Sequence, residues 1–216
     1  MTVTAQSVVE AVRLLADKGL NQGASGNVSV RCGDGLLVTP SGVGADVLGG
    51  EQLVAMTMDG LWSGAWKPSS EWRFHRDIYV ARPEINAVVH CHSPAATALA
   101  VLGKPLPAFH YMIAIAGGAD VRCAPYATFG TQELCDHAVA ALDGRRACLL
   151  AHHGMIAIGP TLSQAVDVAI EVEFLCDLYL RLLPLGEPPL LPAAEMEVVL
   201  EKFKTYGANA QTATGG

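Results

Sequence analysis

The run Ile85-Asn86-Ala87-Val88-Val89-His90-Cys91-His92 is an apolar segment closed by two histidines at i and i+2. It is short and β-branched, so it reads as a buried strand. In an extended chain, side chains two residues apart share a face. His90 and His92 can therefore approach one ion from the same side of a sheet, while Cys91 points to the other face and reads as a small core residue. A second pair, His152-His153, follows the apolar run Ala147-Cys148-Leu149-Leu150-Ala151. Neighbouring strand residues face opposite ways, so one of the two could supply a third nitrogen. Spacing does not choose between them. Neutral imidazole is a favoured zinc ligand, and three protein ligands leave a position open for substrate. The pattern predicts a zinc enzyme rather than a zinc-stapled fold.

Outward from that strand, elements alternate. Helical periodicity predicts helices over residues 5–18, 69–82, 94–101, 131–142, 161–183 and 194–206. Ser69 and Ser70 read as the N-cap region of the second helix. Val28 and Val30 alternate with polar residues, and Cys32-Gly33-Asp34-Gly35 turns that strand back into Leu36-Leu37-Val38, a hairpin. Further strands are expected over 53–58, near Val121, over 147–151 and over 155–158. Tight turns between strands favour an α/β domain of α+β type, with a central, mostly antiparallel sheet flanked by helices. One domain is expected over 1–207, with a small, polar tail at 208–216 that reads as disordered.

Composition narrows the function. Of the 216 residues, 16% are charged and 51% hydrophobic, with a net charge of −7. So low a charged fraction, against roughly 25% for ordinary soluble domains, points to apolar surface covered in a homo-oligomer. The acidic balance argues against nucleic acid. No apolar run reaches membrane-spanning length and no secretory leader is apparent, so a cytoplasmic protein is expected. The six scattered cysteines show no CxxC and fit reduced thiols.

A second set of residues suits an anion. Gly26-Asn27, Ser41-Gly42 and Ser69-Ser70 are small, donor-rich corners, and the last pair opens a helix whose dipole favours negative charge. Glu71, at that helix start, is the candidate carboxylate for proton chemistry.

Together these motifs carry a resemblance. Asn21-Gln22-Gly23 with Gly26-Asn27-Val28-Ser29-Val30-Arg31, then Thr39-Pro40-Ser41-Gly42, and Ser69-Ser70-Glu71-Trp72-Arg73-Phe74-His75 open it. Ala87-Val88-Val89-His90-Cys91-His92, His110-Tyr111-Met112, Ala124-Pro125-Tyr126-Ala127-Thr128-Phe129-Gly130, His152-His153-Gly154 and Leu200-Glu201-Lys202-Phe203-Lys204-Thr205-Tyr206 continue it. In this order they resemble the class II aldolase/adducin-like family, which includes L-fuculose-1-phosphate aldolase and ribulose-phosphate 4-epimerase. The likeness leans to the aldolase.

That resemblance implies one zinc ion per subunit on His90, His92 and His153, with Glu71 as both ligand and catalytic acid/base. It implies a phosphate against Gly26, Asn27, Ser41, Gly42, Ser69 and Ser70. Tyr111 would reach into a neighbouring subunit's site, and Phe129, Phe203 and Tyr206 would line the aldehyde end. The implied assembly is a homotetramer with sites between subunits. The implied reaction is reversible cleavage of a ketose 1-phosphate, such as L-fuculose 1-phosphate, to dihydroxyacetone phosphate and a small aldehyde such as lactaldehyde. A sugar-phosphate 4-epimerase, a related dehydratase or decarboxylase, and a non-catalytic zinc-stabilised domain are the alternatives. Family epimerases carry an aspartate at the position of Glu71, which favours the aldolase. Ser41 stands where close relatives have threonine, so the hydroxyl is kept.

Overall fold

The structure is a computed structural model and describes residues 4–204. One sheet of seven strands organises it: β1 (Asn27–Cys32), β2 (Gly35–Val38), β3 (Val54–Thr57), β4 (Ala87–Cys91), β5 (Arg122–Ala124), β6 (Ala147–Leu150) and β7 (Gly154–Gly159). Their order across the sheet is β3-β2-β1-β4-β7-β6-β5. Every pairing is antiparallel except β5 with β6, so the expected mostly antiparallel sheet is present in a single domain.

Helices cover both faces. α1 (Ala5–Asp17), α3 (Pro94–Val101), α5 (Leu162–Leu182) and α6 (Ala193–Phe203) build one side; α2 (Trp72–Ala81) and α4 (Gln132–Ala141) build the other. Local chemistry explains the boundaries. Thr4 caps α1 by accepting from the Ser7 amide at 3.2 Å while Ser7 Oγ accepts from the Thr4 amide at 3.0 Å, a reciprocal capping box. Thr131 and Thr161 cap α4 and α5 by accepting from the Leu134 and Gln164 amides, without the return bond. α3 begins with Pro94, whose missing N–H costs nothing in the first turn. Its next two amides, Ala95 and Ala96, donate to the Glu173 carboxylate of α5, each at 2.8 Å.

One expected start is corrected. Ser69 and Ser70 do not cap α2: the helix begins at Trp72, with Glu71 at the N-cap position and no side-chain cap bond. The cause is strand-like pairing just upstream. The Ser69 amide donates to the Thr39 carbonyl and the Ser41 amide to the Lys67 carbonyl, both at 3.0 Å. That pairing keeps the chain extended through Ser69.

β4 lies at the middle of the sheet, paired with β1 and β7. All five of its residues are buried. Ala87, Val89 and Cys91 enter the core beneath α1, α3 and α5, and Val88 enters the core beneath α2 and α4. The alternation predicted from sequence therefore holds, and it directs His90 to the α2 side, edge-on to Phe74 with ring centroids 5.4 Å apart. Among the described residues no helix is long and apolar enough to cross a membrane.

Candidate metal centre

Four side chains converge beside the end of β4. Ligand-capable atoms of Glu71, His90, His92 and His153 all lie within 4.8 Å of one another. His90 comes from the buried strand. His92 follows the strand end, where its amide donates to Asn21 Oδ1 at 3.1 Å. His153 comes from the turn between β6 and β7, closed by its amide donating to the Leu150 carbonyl at 3.0 Å. Glu71 comes from the α2 N-terminus.

The turn settles which of the paired histidines joins. His152 has φ +56°, the left-handed region that non-glycine residues seldom adopt. That residue absorbs the reversal of direction, so the alternation of an extended strand does not apply. His153 faces the cluster and His152 stays exposed. Gly154 gives the turn room: a Cβ there would meet the Cys91 carbonyl and the His92 ring. Gly26 has a similar function. Its φ is +74°, and a Cβ would collide with the Asn21 amide that holds His92.

Hydrogen bonding fixes the tautomer of His90. Its Nδ1 lies 2.9 Å from the Met155 carbonyl, which can only accept. Nδ1 therefore carries the proton, and in the neutral ring Nε2 presents a lone pair. That lone pair faces His92 Nε2 at 2.9 Å and Glu71 Oε2 at 3.3 Å. Glu71 Oε1 is 3.2 Å from His153 Nε2, yet it is buried with no hydrogen-bond donor. Converging lone pairs and a carboxylate oxygen without a donor fit a cation bound by three imidazoles and one carboxylate.

Electrostatics agree with that donor set. Burial alone would raise the Glu71 carboxyl, but His90 and His153 outweigh it and hold it well below the usual range, so it is a carboxylate. Burial, reinforced by His90 and His153, lowers His92 to about 4. At neutral pH it is unprotonated, as ligation requires.

A cavity of about 360 Å³ opens on this cluster. Glu71, His92 and His153 line it, together with Gly26, Asn27, Ser41, Gly42, Ser69, Ser70 and Phe129. The three expected donor corners therefore meet at one cavity. Ser41 and Ser69 spend their backbone amides on the Lys67 and Thr39 carbonyls, so what they offer a ligand is the hydroxyl. Asn27 lies in the wall, but its side-chain amide is already engaged: Nδ2 donates to Glu71 Oε2 at 2.9 Å, and Oδ1 lies 2.5 Å from His75 Nε2.

Two residues expected at the proton-transfer and aldehyde end are not in this cavity. Phe203 packs on the α5 side of the sheet, because α6 returns the chain there after the proline-rich linker. Tyr111, half exposed at the start of a 3-10 segment (Tyr111–Ala116), is outside the cavity of its own chain. Tyr206 and the tail at 208–216 lie outside the described residues. Tyr126 and His152 also line the cavity, a place the sequence reading gave to neither, with the two rings edge-on and centroids 6.0 Å apart. The available signal was the spacing of Tyr126 and Phe129 across a turn of small residues.

Residues 6–180 match the family described as Class II Aldolase and Adducin N-terminal domain. The chain belongs to that family. It is 59% identical over 204 residues to the 5-methylthioribulose-1-phosphate/5-deoxyribulose-1-phosphate aldolase of Rhodospirillum rubrum, covering 94% of this chain and 92% of that protein. It is 48% identical to the L-fuculose phosphate aldolase of Escherichia coli strain K12, over 94% of this chain and 95% of that one. Among solved structures, an L-fuculose 1-phosphate aldolase superposes with a TM-score of 0.90 at 42% identity, covering 93% of this chain and 96% of its own. Class II aldolases are lyases, and this class II aldolase is an enzyme of that kind.

Proposed function

We propose that the protein is a zinc-dependent aldolase that reversibly cleaves a ketose 1-phosphate to dihydroxyacetone phosphate and a small aldehyde. The observation that carries this reading is the convergence of three imidazoles and a carboxylate at a cavity whose other wall offers neutral donors. Zinc suits the donor set, because tetrahedral nitrogen and oxygen sites are its common form. Bound there, it would supply positive charge against the charge that develops on the substrate's carbonyl and neighbouring hydroxyl oxygens.

The chain's own residues do the rest. Hydroxyls of Ser41, Ser69 and Ser70 bind the phosphate, which takes no part in bond breaking. Binding there anchors the non-reacting end of the substrate equally before and during bond breaking, which adds affinity. As the C3–C4 bond breaks, its electron pair stays with C3 and the C4 hydroxyl loses its proton to become the aldehyde. Glu71 takes up a proton from solvent and delivers it to C3, completing dihydroxyacetone phosphate and returning to a carboxylate. In the reverse direction it removes that proton, a task suited to a group already ionised at neutral pH. Tyr111 of a neighbouring subunit would handle the proton at the aldehyde oxygen. Its exposure outside its own cavity and the low charged fraction support a homo-oligomer with shared sites, which in this reading is a tetramer.

Tyr126, Ala127 and Phe129 form an apolar side of the cavity. That lining favours an aldehyde with an apolar end, as from 5-deoxyribulose or 5-methylthioribulose 1-phosphate. The 59% identity to the Rhodospirillum rubrum enzyme supports this choice. L-fuculose 1-phosphate is the second reading, supported by the 48% identity to the Escherichia coli enzyme. A coupled assay for dihydroxyacetone phosphate, run on all three ketose phosphates with the zinc-loaded protein, tests both. The expected result is release of the triose, with the highest kcat/KM for a 5-deoxy or 5-methylthio substrate. A zinc-loaded protein that releases none of it from any of the three would end the aldolase reading.

A further inference from the structure

Behind Glu71 runs a chain of buried polar groups. Asn27 Nδ2 donates to Glu71 Oε2 at 2.9 Å, and His75 Nε2 lies 2.5 Å from Asn27 Oδ1. His75 Nδ1 lies 2.7 Å from Ser29 Oγ, which lies 2.8 Å from the Tyr79 hydroxyl. Ser29 and His75 are 0% exposed and Tyr79 is 1% exposed. His75 is outside the metal cluster and does not line the cavity.

The donors and acceptors in this chain have one consistent arrangement. A carboxylate only accepts, so the NH2 end of the Asn27 amide faces Glu71 and its carbonyl faces His75. His75 Nε2 must then carry a proton. Burial holds the His75 ring down at about 3, aided by the nearby His90, so it is neutral and its Nδ1 is a lone pair. Ser29 Oγ–H donates to that Nδ1, and the Tyr79 hydroxyl donates to Ser29 Oγ. Turning the Asn27 amide over would set its carbonyl against the Glu71 carboxylate and its NH2 against the His75 N–H.

We infer that His75 is a positioning residue for Glu71, acting through Asn27 to give the two carboxylate oxygens different tasks. Oε2 is tied to the Asn27 amide. Oε1, which has no hydrogen-bond donor, remains the oxygen free to meet the cation and the proton in turn. Without the His75 N–H the Asn27 carbonyl loses its donor, the amide is held only by the carboxylate it should orient, and both can swing together. The kinetic part of this inference rests on the aldolase reading; the tautomer and metal-binding parts do not.

Nitrogen-15 NMR of the histidine rings in the full-length, metal-free protein at pH 7 reads the tautomer directly. A neutral Nε2–H ring at His75 is expected, and an Nδ1–H ring would overturn the inference. His75→Leu removes the N–H, whereas His75→Gln keeps a donor that can reach the Asn27 carbonyl. In His75→Leu, kcat should fall and the zinc dissociation constant should rise by about 10- to 100-fold, the usual loss when a partner behind a ligand is removed. KM should stay within about twofold because the phosphate hydroxyls are untouched. His75→Gln should recover most of the loss. Equal kcat and equal zinc affinity in the two variants would overturn the assignment. If His75→Leu does not fold, Ser29→Ala replaces it: loss of the hydroxyl that donates to Nδ1 should give a mixed tautomer at His75 and a lower zinc affinity. An unchanged tautomer and affinity there would count against the inference. Should the wild-type protein release no triose phosphate, the aldolase reading fails while the tautomer and affinity measurements still decide this one.

Discussion

The metal cluster and the donor corners share one cavity but are built by different means. In the cluster, ionisable side chains from three separate segments place their ligand atoms within 4.8 Å of one another, and Glu71 and His90 are buried. Three of the four are held by a buried or half-buried partner: His90 by the Met155 carbonyl, His92 by Asn21, Glu71 by Asn27. At the corners, Ser41, Gly42 and Ser70 are exposed and neutral, on turns tied by backbone pairing. A buried cluster of like lone pairs is unfavourable without its cation and its supports. Exposed hydroxyls carry no such cost. Damage to the cluster should therefore reach metal affinity and turnover, and damage to a corner should reach substrate binding alone.

Glu71→Gln tests the cluster most severely. The amide is nearly the same size and can keep the fold, but it cannot carry a proton between carbon and solvent. Turnover in the coupled assay should fall by about 10²- to 10⁴-fold, the usual weight of a general acid–base group. Unchanged turnover would remove Glu71 from that role.

Acid should also separate the two regions, because the cluster and its support contain strongly shifted acid-range groups and the corners carry no titratable side chain. Burial holds His75 at about 3 and His92 at about 4, against 6.5 in the unfolded chain. As pH falls below 6.5, the unfolded chain takes up those protons first, so stability falls with falling pH. His75 contributes a slope of up to about 1.4 kcal/mol per pH unit down to its folded value. Exposed His92 contributes less, its shift being screened by solvent. Glu71, held below its usual 4.5, adds loss in the same direction once pH drops past 4.5. In the metal-free protein the urea midpoint should be flat from these groups between pH 7 and 8 and decline from pH 6.5 to 4. His75→Gln should flatten that decline; a variant with the same slope as wild type would contradict the assignment.

Gly154→Ala asks how tightly the cluster is packed. The added methyl would press on the Cys91 carbonyl and on the His92 ring, 3.0 Å from its Cδ2. The ring must shift away from the position it shares with His90. Zinc affinity, measured by competition with a coloured chelator, should weaken by about tenfold. Affinity equal to wild type would mean that the His92 ring has room the structure does not show.

Much of this contrast was legible in the sequence, for identifiable reasons. Period-two alternation in Ala87–Cys91 placed His90 and Cys91 on opposite faces, because a central strand buried on both sides tolerates no slip. The corners were visible as small polar turns. The choice of His153 over His152 was not readable from spacing, since it depends on one residue taking a positive φ. The start of α2 was misplaced because long-range pairing of Ser69 with Thr39 overrode a local capping preference. His75 looked like an ordinary hydrogen-bonding residue: its partners Asn27 and Ser29 are more than forty positions away in the chain. Phe203 has an apolar character that suits either a pocket or a core, and the return of α6 to the α5 side sets it partly buried against the core of its own chain.

Ser41→Ala gives the smallest effect and sharpens the comparison from the other side. The Ser41 amide is already paired with the Lys67 carbonyl, so the hydroxyl is the donor this residue can lend to a phosphate. A hydrogen bond to a charged group is worth about 1.5–3 kcal/mol. The exposed site takes the low end, so KM for the ketose phosphate should rise about tenfold. The phosphate lies away from the breaking bond and is held equally in the ground and transition states, so kcat should be unchanged. Ser41→Thr, which keeps the hydroxyl, should match wild type in both constants. A fall in kcat with KM unmoved would mean that this corner acts on the chemistry, and the division between cluster and corners would not hold.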